Sequence, residues 1–95
     1  MHKFIIFGNY TDKGIKNIKD SPARLEFAKE LAKEFDGKIS SFYLTLGQYD
    51  IFIICEFPDD EKAARFTIKL GSLGNVRTTT LKAFTEEEYK NITER

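Results

Sequence analysis

Leu46-Gly47-Gln48-Tyr49-Asp50-Ile51-Phe52-Ile53-Ile54-Cys55-Glu56-Phe57 is the stretch whose reading decides the fold. It opens with a turn, Gly47 to Asp50, and runs into the most apolar segment of the chain. In an extended strand Ile51, Ile53, Cys55 and Phe57 share one side, and Phe52, Ile54 and Glu56 the other. A strand apolar on both sides belongs in the middle of a sheet, so the other elements are read outward from it. Pro58 stops it.

Immediately upstream, Lys38 to Leu46 reads as a strand that the Gly47–Asp50 turn joins to it as a hairpin. Strict alternation puts Phe42, Leu44 and Leu46 on one side, and Ile39, Ser41, Tyr43 and Thr45 on the other. Before it comes a helix. Asp20 or Ser21 caps it, Pro22 takes an early helical position, and Leu25, Ala28, Leu31, Ala32 and Phe35 form its apolar stripe. Asp36-Gly37 ends it, with Gly37 suited to the left-handed closing position. Lys3 to Tyr10 is another strand apolar on both sides, hence also central. Thr11 to Asp20 connects the two. Thr11 caps a helical turn there, whose inner side takes Ile15 and Ile18.

Downstream, Asp59 or Asp60 caps a second helix with an inner stripe of Ala63, Phe66, Thr67, Leu70 and Leu73, closed by Gly71 and Gly74. Asn75 to Phe84 is the last strand. Its Thr78-Thr79-Thr80 run pairs β preference with a polar surface, which suits an edge. Thr85 caps a short charged helical tail, Glu86 to Lys90.

The order is strand, helix, strand, strand, helix, strand: an α+β, ferredoxin-like βαββαβ arrangement. Right-handed crossovers place the first and third strands centrally in an antiparallel sheet. Both helices then cover one face. The helix-free face still carries apolar residues from three strands, and monomers rarely expose an apolar patch beyond a few hundred Å². We therefore expect a homodimer packed through the helix-free faces, two-fold symmetric, forming an α+β barrel. Alternation alone leaves open which set of side chains meets the helices and which the partner.

Composition narrows the functional classes. Ninety-five residues suggest one domain, 1–95, with a thin core. Fifteen basic residues balance fifteen acidic ones, and their signs alternate along the helices, which argues against a nucleic-acid partner. Met1-His2-Lys3 enters a strand pattern at once and no run approaches a membrane span, so neither signal peptide nor membrane is expected and the cytoplasm is the default compartment. Cys55 is the one cysteine, read as a small buried hydrophobe. His2 is the one histidine and has no companion ligand, so no metal is expected. No P-loop and no G-x-S-x-G occurs, and no cofactor is expected.

At Gly47, Tyr49 and Asp50 the chain resembles the GYD domain family, named for that hairpin signature. Three further blocks resemble it in order: Gly14-Ile15-Lys16-Asn17-Ile18-Lys19-Asp20-Ser21-Pro22, Ser41-Phe42-Tyr43-Leu44-Thr45-Leu46, and Leu70-Gly71-Ser72-Leu73-Gly74-Asn75-Val76-Arg77-Thr78. The resemblance spans nearly the whole chain. It implies a small bacterial or archaeal domain of the dimeric α+β-barrel type, and names no activity.

Candidate ligand-binding residues are Tyr10, Tyr43, Tyr49, Asp50, Asn75 and Arg77. Asp50 reads first as a backbone brace of the hairpin and Tyr49 as packing at a sheet end; the functional reading puts both at the mouth of a cleft. Asn9, Tyr10 and Thr11 end the first strand, and Asn75 and Arg77 begin the last. Arg77 needs a partner, either a small polar or anionic ligand or a carboxylate such as Glu56. Three functions follow. The leading one is a non-catalytic small-molecule binding or regulatory homo-oligomer. The second is a cofactor-free enzyme of the monooxygenase or isomerase kind, by analogy of fold. The third is a purely structural oligomerisation unit. A closed pocket lined by Tyr10, Tyr43 or Arg77 favours the first two; a solid interior favours the third.

Overall fold

The computed structural model describes residues 1–94. Strands β1 (His2–Tyr10), β2 (Lys38–Leu44), β3 (Ile51–Phe57) and β4 (Val76–Ala83) form one antiparallel sheet in the order β2-β3-β1-β4. Helices α2 (Ser21–Glu34) and α3 (Asp60–Ser72) lie on one side of it. A short helix α1 (Asp12–Lys16) and a 3-10 turn (Ile18–Asp20) precede α2, and α4 (Glu86–Thr93) follows β4. The fold is ferredoxin-like, with the two doubly apolar strands in the middle.

The structure settles which side chains meet the helices. Phe4 and Ile6 of β1, with Ile51, Ile53, Cys55 and Phe57 of β3, are buried under Ala28, Leu31 and Ala32 of α2 and Ala63 and Phe66 of α3. Phe57 anchors this layer, its ring centroid 5.1 Å from that of Phe66 and 6.2 Å from that of Phe4. Neither Phe57 nor Phe66 is exposed at all. The opposite, open side carries Ile5, Phe7, Phe52 and Ile54, all only half-buried, with exposed Tyr43 and Leu81 beside them.

Several local expectations are corrected. A bulge at Ser40 shifts the β2 register, so Ile39 pairs with Cys55 and joins Phe42 on the helix side. β2 ends at Leu44, leaving Leu46 almost wholly exposed in the hairpin loop. Asp36, not Gly37, takes the left-handed conformation after α2 (φ 62°). Gly37 is required for another reason: a Cβ there would overlap the Phe57 ring and the Glu56 carbonyl. No side chain caps α2, which grows directly out of the 3-10 turn. Ile15 and Ile18 are exposed, because the turn that carries Ile15 docks through its glycine.

Caps elsewhere follow local chemistry. Thr11 accepts from the Gly14 N–H, Asp59 from the Lys62 N–H at 2.8 Å, and Thr85 with Glu88 forms a capping box. Lys62 also pairs with Asp36, tying α3 to the end of α2.

Candidate functional site

α2 and α3 diverge at the end of the sheet where β1 finishes and β4 begins. Between them lies a cleft of about 480 Å³. Its floor is Phe42, Ile51, Ile53 and Val76 from the sheet; its walls include Leu25, Phe27 and Ala28 of α2, and Leu70 and Leu73 at the end of α3. Tyr10, Lys13, Asp20, Arg24 and Asn75 also line it and supply its polar groups. The cleft is mainly apolar with polar groups drawn from the loops, the usual composition of a small-molecule site.

Those loops are held by backbone hydrogen bonds. Thr11 Oγ1 donates to the Gly74 carbonyl at 2.6 Å, and the Thr11 N–H to the Asn75 carbonyl at 3.1 Å. Gly14 is buried against the same turn, and a Cβ at Gly14 would collide with the Asn75 carbonyl oxygen. Arg24 donates from Nη1 to the Asn17 carbonyl (2.8 Å) and from Nη2 to the Gly14 carbonyl (3.1 Å), clamping α1 to α2. Lys13 Nζ reaches the Leu73 carbonyl at 3.0 Å. Among the described residues neither cation has a carboxylate partner, and each keeps donors that these bonds do not use.

Asp50 belongs to this end too. Its Oδ2 accepts the Tyr10 N–H at 2.9 Å, while its own N–H donates to the Gly8 carbonyl at 2.9 Å. The Thr45 N–H donates to the Asp50 carbonyl, and Thr45 Oγ1 to the Tyr49 carbonyl. Asp50 thus braces the hairpin against β1, as its structural reading expects. All four sequence blocks meet at this one end of the sheet.

The six candidate residues divide across the sheet. Tyr10 and Asn75 line the cleft, and Asp50 stands beside Tyr10. Tyr43, Tyr49 and Arg77 are on the open side. There Tyr49 packs on Phe7 (centroids 4.7 Å apart), Phe7 on Phe52 (5.3 Å) and Tyr43 on Phe52 (6.1 Å). Arg77 lies opposite Asn9. Glu56 does not satisfy it, because Glu56 pairs with Lys38 (3.4 Å) and Lys3 (4.0 Å) at the other end of the strands.

Sequence reading missed Lys13, Arg24 and Phe27, and placed Leu25 and Leu73 on core-facing stripes although they line the cleft; Leu70 lines it too but also packs on the core. The usable signal was Arg24 itself, a long cation directly beside a stripe residue. Among the described residues no cluster of three or more metal-ligating side chains occurs. Cys55 is buried, its thiol pushed up to about 12 by burial and then by the Glu56 carboxylate; Sγ faces the Phe4 carbonyl at 3.7 Å.

Comparison with known proteins gives a consistent picture. The family model for the GYD domain matches residues 4–93. A Thermus thermophilus protein named glutamine synthetase and cystathionine beta-lyase binding protein is 34% identical over 84 residues, covering 87% of this chain and 88% of that one. Among solved structures, a feast or famine regulatory protein from M. tuberculosis complexed with L-methionine superposes with a TM-score of 0.68 at 18% identity, covering 90% of this chain and 51% of its own. This chain therefore spans about half the length of that regulator, and the likeness is one of fold. A crystal structure of a Thermus thermophilus protein superposes with a TM-score of 0.58 at 22% identity, covering 90% of this chain and 95% of that one. Matched from Phe4 to Thr93 and bearing Gly47, Tyr49 and Asp50 at its hairpin, the chain belongs to the GYD domain family.

Proposed function

We propose that the protein is a non-catalytic, homodimeric binding module of the cytoplasm whose cleft takes a small molecule with an apolar body and a polar or anionic end. The cleft between α2 and α3 carries this reading. Its apolar floor suits the body of such a ligand, and the unspent donors of Lys13 and Arg24 suit the end. Binding is favoured over catalysis because the polar groups here hold backbone: Thr11, Lys13 and Arg24 donate to carbonyls, and Asp50 accepts an N–H. Pairing through the open sheet is supported by the half-buried Ile5, Phe7, Phe52 and Ile54, whose burial gains roughly 25 cal/mol per Å². No helix among the described residues is long and apolar enough to cross a membrane.

The test is retention of metabolites from an extract, read by native mass spectrometry, on the wild type and on Leu73→Trp, which narrows the cleft. We expect one chemical class to stay on the wild type and to be lost from the variant. Equal retention by both, or none by either, would sink the cleft reading. Sedimentation at micromolar concentration tests the dimer, and a monomer there refutes it.

The relative's name supports a second reading, in which the dimer docks on a metabolic enzyme. Co-purification of glutamine synthetase with the tagged protein, unaffected by Leu73→Trp, would favour docking over ligand binding.

A further inference from the structure

We propose that Asp50 is a positioning residue for the cleft. Its carboxylate acts on a ligand only through Tyr10, whose backbone it fixes, and so sets the corner of the cleft that Tyr10, Ile51 and Asn75 share. The inference rests on the cleft reading above and adds to it the residue that holds the shape of the site.

The ends of the strand ladders give Asp50 this part. β1 pairs with β4 as far as Tyr10 and Val76, but with β3 only as far as Gly8 and Ile51. The Tyr10 N–H points to the β3 side and lies beyond the last pair of that ladder. A backbone N–H withdrawn from water without a partner is costly. Asp50 Oδ2 accepts this one at 2.9 Å, in a part-buried position. The carboxylate replaces the carbonyl that a longer β3 would offer.

Asp50 is itself held. Its N–H donates to the Gly8 carbonyl at 2.9 Å, and its carbonyl accepts the Thr45 N–H at 2.8 Å. The residue that follows, Ile51, is buried. The acceptor is thus fixed from both sides, and a fixed acceptor can fix its donor.

From Tyr10 the constraint passes into the cleft. Tyr10, Ile51 and Val76 line it, whereas Asp50 does not. Thr11, next along the chain, donates to the Gly74 carbonyl at 2.6 Å and to the Asn75 carbonyl at 3.1 Å. That turn carries Leu73 and Asn75 to the cleft. Without the Asp50 bond, the end of β1 is tied on the β4 side alone, and this wall is free to leave the floor at Ile51.

The task is one of reach rather than charge. Asn offers an oxygen acceptor at the same distance from the backbone. Glu keeps the charge but carries it one C–C bond, about 1.5 Å, too far.

Anilinonaphthalene sulfonate, with an apolar body and an anionic end, is the probe, titrated by fluorescence into the wild type, Asp50→Asn, Asp50→Glu and Asp50→Ala. We expect its dissociation constant to stay within about twofold in Asp50→Asn and to rise about tenfold or more in the other two. Amide hydrogen exchange should quicken at Tyr10 by about tenfold or more in Asp50→Glu and Asp50→Ala, but not in Asp50→Asn, while Ile53 in the central strand keeps its protection. Affinity kept by Asp50→Glu and lost by Asp50→Asn would show that the charge meets the ligand, and would overturn the positioning role. A Tyr10 amide that exchanges no faster in Asp50→Glu would overturn it too. If Asp50→Ala does not fold, the Asn and Glu variants decide. Uptake of the probe that Leu73→Trp leaves unchanged counts against the cleft reading instead, and exchange at Tyr10 then decides the brace.

Discussion

On the helix-covered side of the sheet Ile6, Cys55 and Phe57 have no exposure at all, while Ile5, Ile54 and Phe52, on the opposite side of the same two strands, are only partly buried. The side chains on the two faces are of the same kind. What differs is the cover: two crossover helices fall on one side, and none on the other. Burial here is therefore set by connection rather than by hydrophobicity. The covered face is a core with Phe66 pressed into it. The open face arranges Tyr49, Phe7, Phe52 and Tyr43 as a continuous aromatic surface without a covering helix.

The sharpest way to break this comparison is to truncate one aromatic on each face. Phe66→Ala should cost about 3–5 kcal/mol in chemical denaturation, since it leaves a cavity in a closed layer. Phe52→Ala should cost the isolated chain only about 1 kcal/mol and register mainly as dissociation. Equal costs would show that the open face is as much a core as the covered one.

Gly14→Ala comes next, at about 2–3 kcal/mol, because the new methyl meets backbone rather than a movable side chain. The loss should appear in thermal unfolding and loosen the cleft end. A neutral result would show that the α1 turn can leave the helix side without consequence.

Cys55 probes the covered face through pH. Its folded thiol is held near 12, against an ordinary value of 9.0. Below pH 9 both states keep the proton and the stabilisation is fully present. Between pH 9 and about 12 the unfolded thiol ionises and the folded one does not, so stability falls as pH rises, by at most about 1.4 kcal/mol per pH unit. Denaturation of wild type and Cys55→Ala across that range should diverge only above pH 9. Parallel curves would mean that the thiol is not shielded.

The smallest effect on the fold belongs to the open face. Tyr43→Ser should change stability by no more than about 0.5 kcal/mol in dilute solution, because the ring is already exposed. It should still weaken dimerisation in sedimentation. A large loss of stability without change of assembly would reverse the roles given to the two faces.

The candidate site was legible in part. Tyr10 and Asn75 were placed by strand ends, where chain topology gathers loops, and they line the cleft. Arg77 was assigned to the same cluster by nearness in sequence, but one step along β4 carries it from Val76 on the cleft side to the open side. Leu25 and Leu73 line the cleft rather than the core, and Leu70 does both, because an apolar residue lining a cleft and one filling a core leave the same helical periodicity. Only the divergence of α2 and α3 tells them apart.

The sequence by itself determined the elements, their order and the two central strands, because alternation, turns and caps are local and each acts within a few residues. It also determined the cap at Thr85, whose chemistry needs only a neighbouring N–H, whereas the brace at Asp50 reaches the Tyr10 N–H forty residues away. The tertiary structure alone decided which face the helices cover, which side Ile39 joins after the bulge at Ser40, and that Gly14 rather than Ile15 is buried. Those outcomes depend on atoms far apart in the chain: the Phe57 ring over Gly37, the Asn75 carbonyl over Gly14, two helices that meet the sheet and then separate. A periodic pattern states that a side chain wants burial. The packing of distant elements decides whether it is met by a core, a cleft or another copy of the chain.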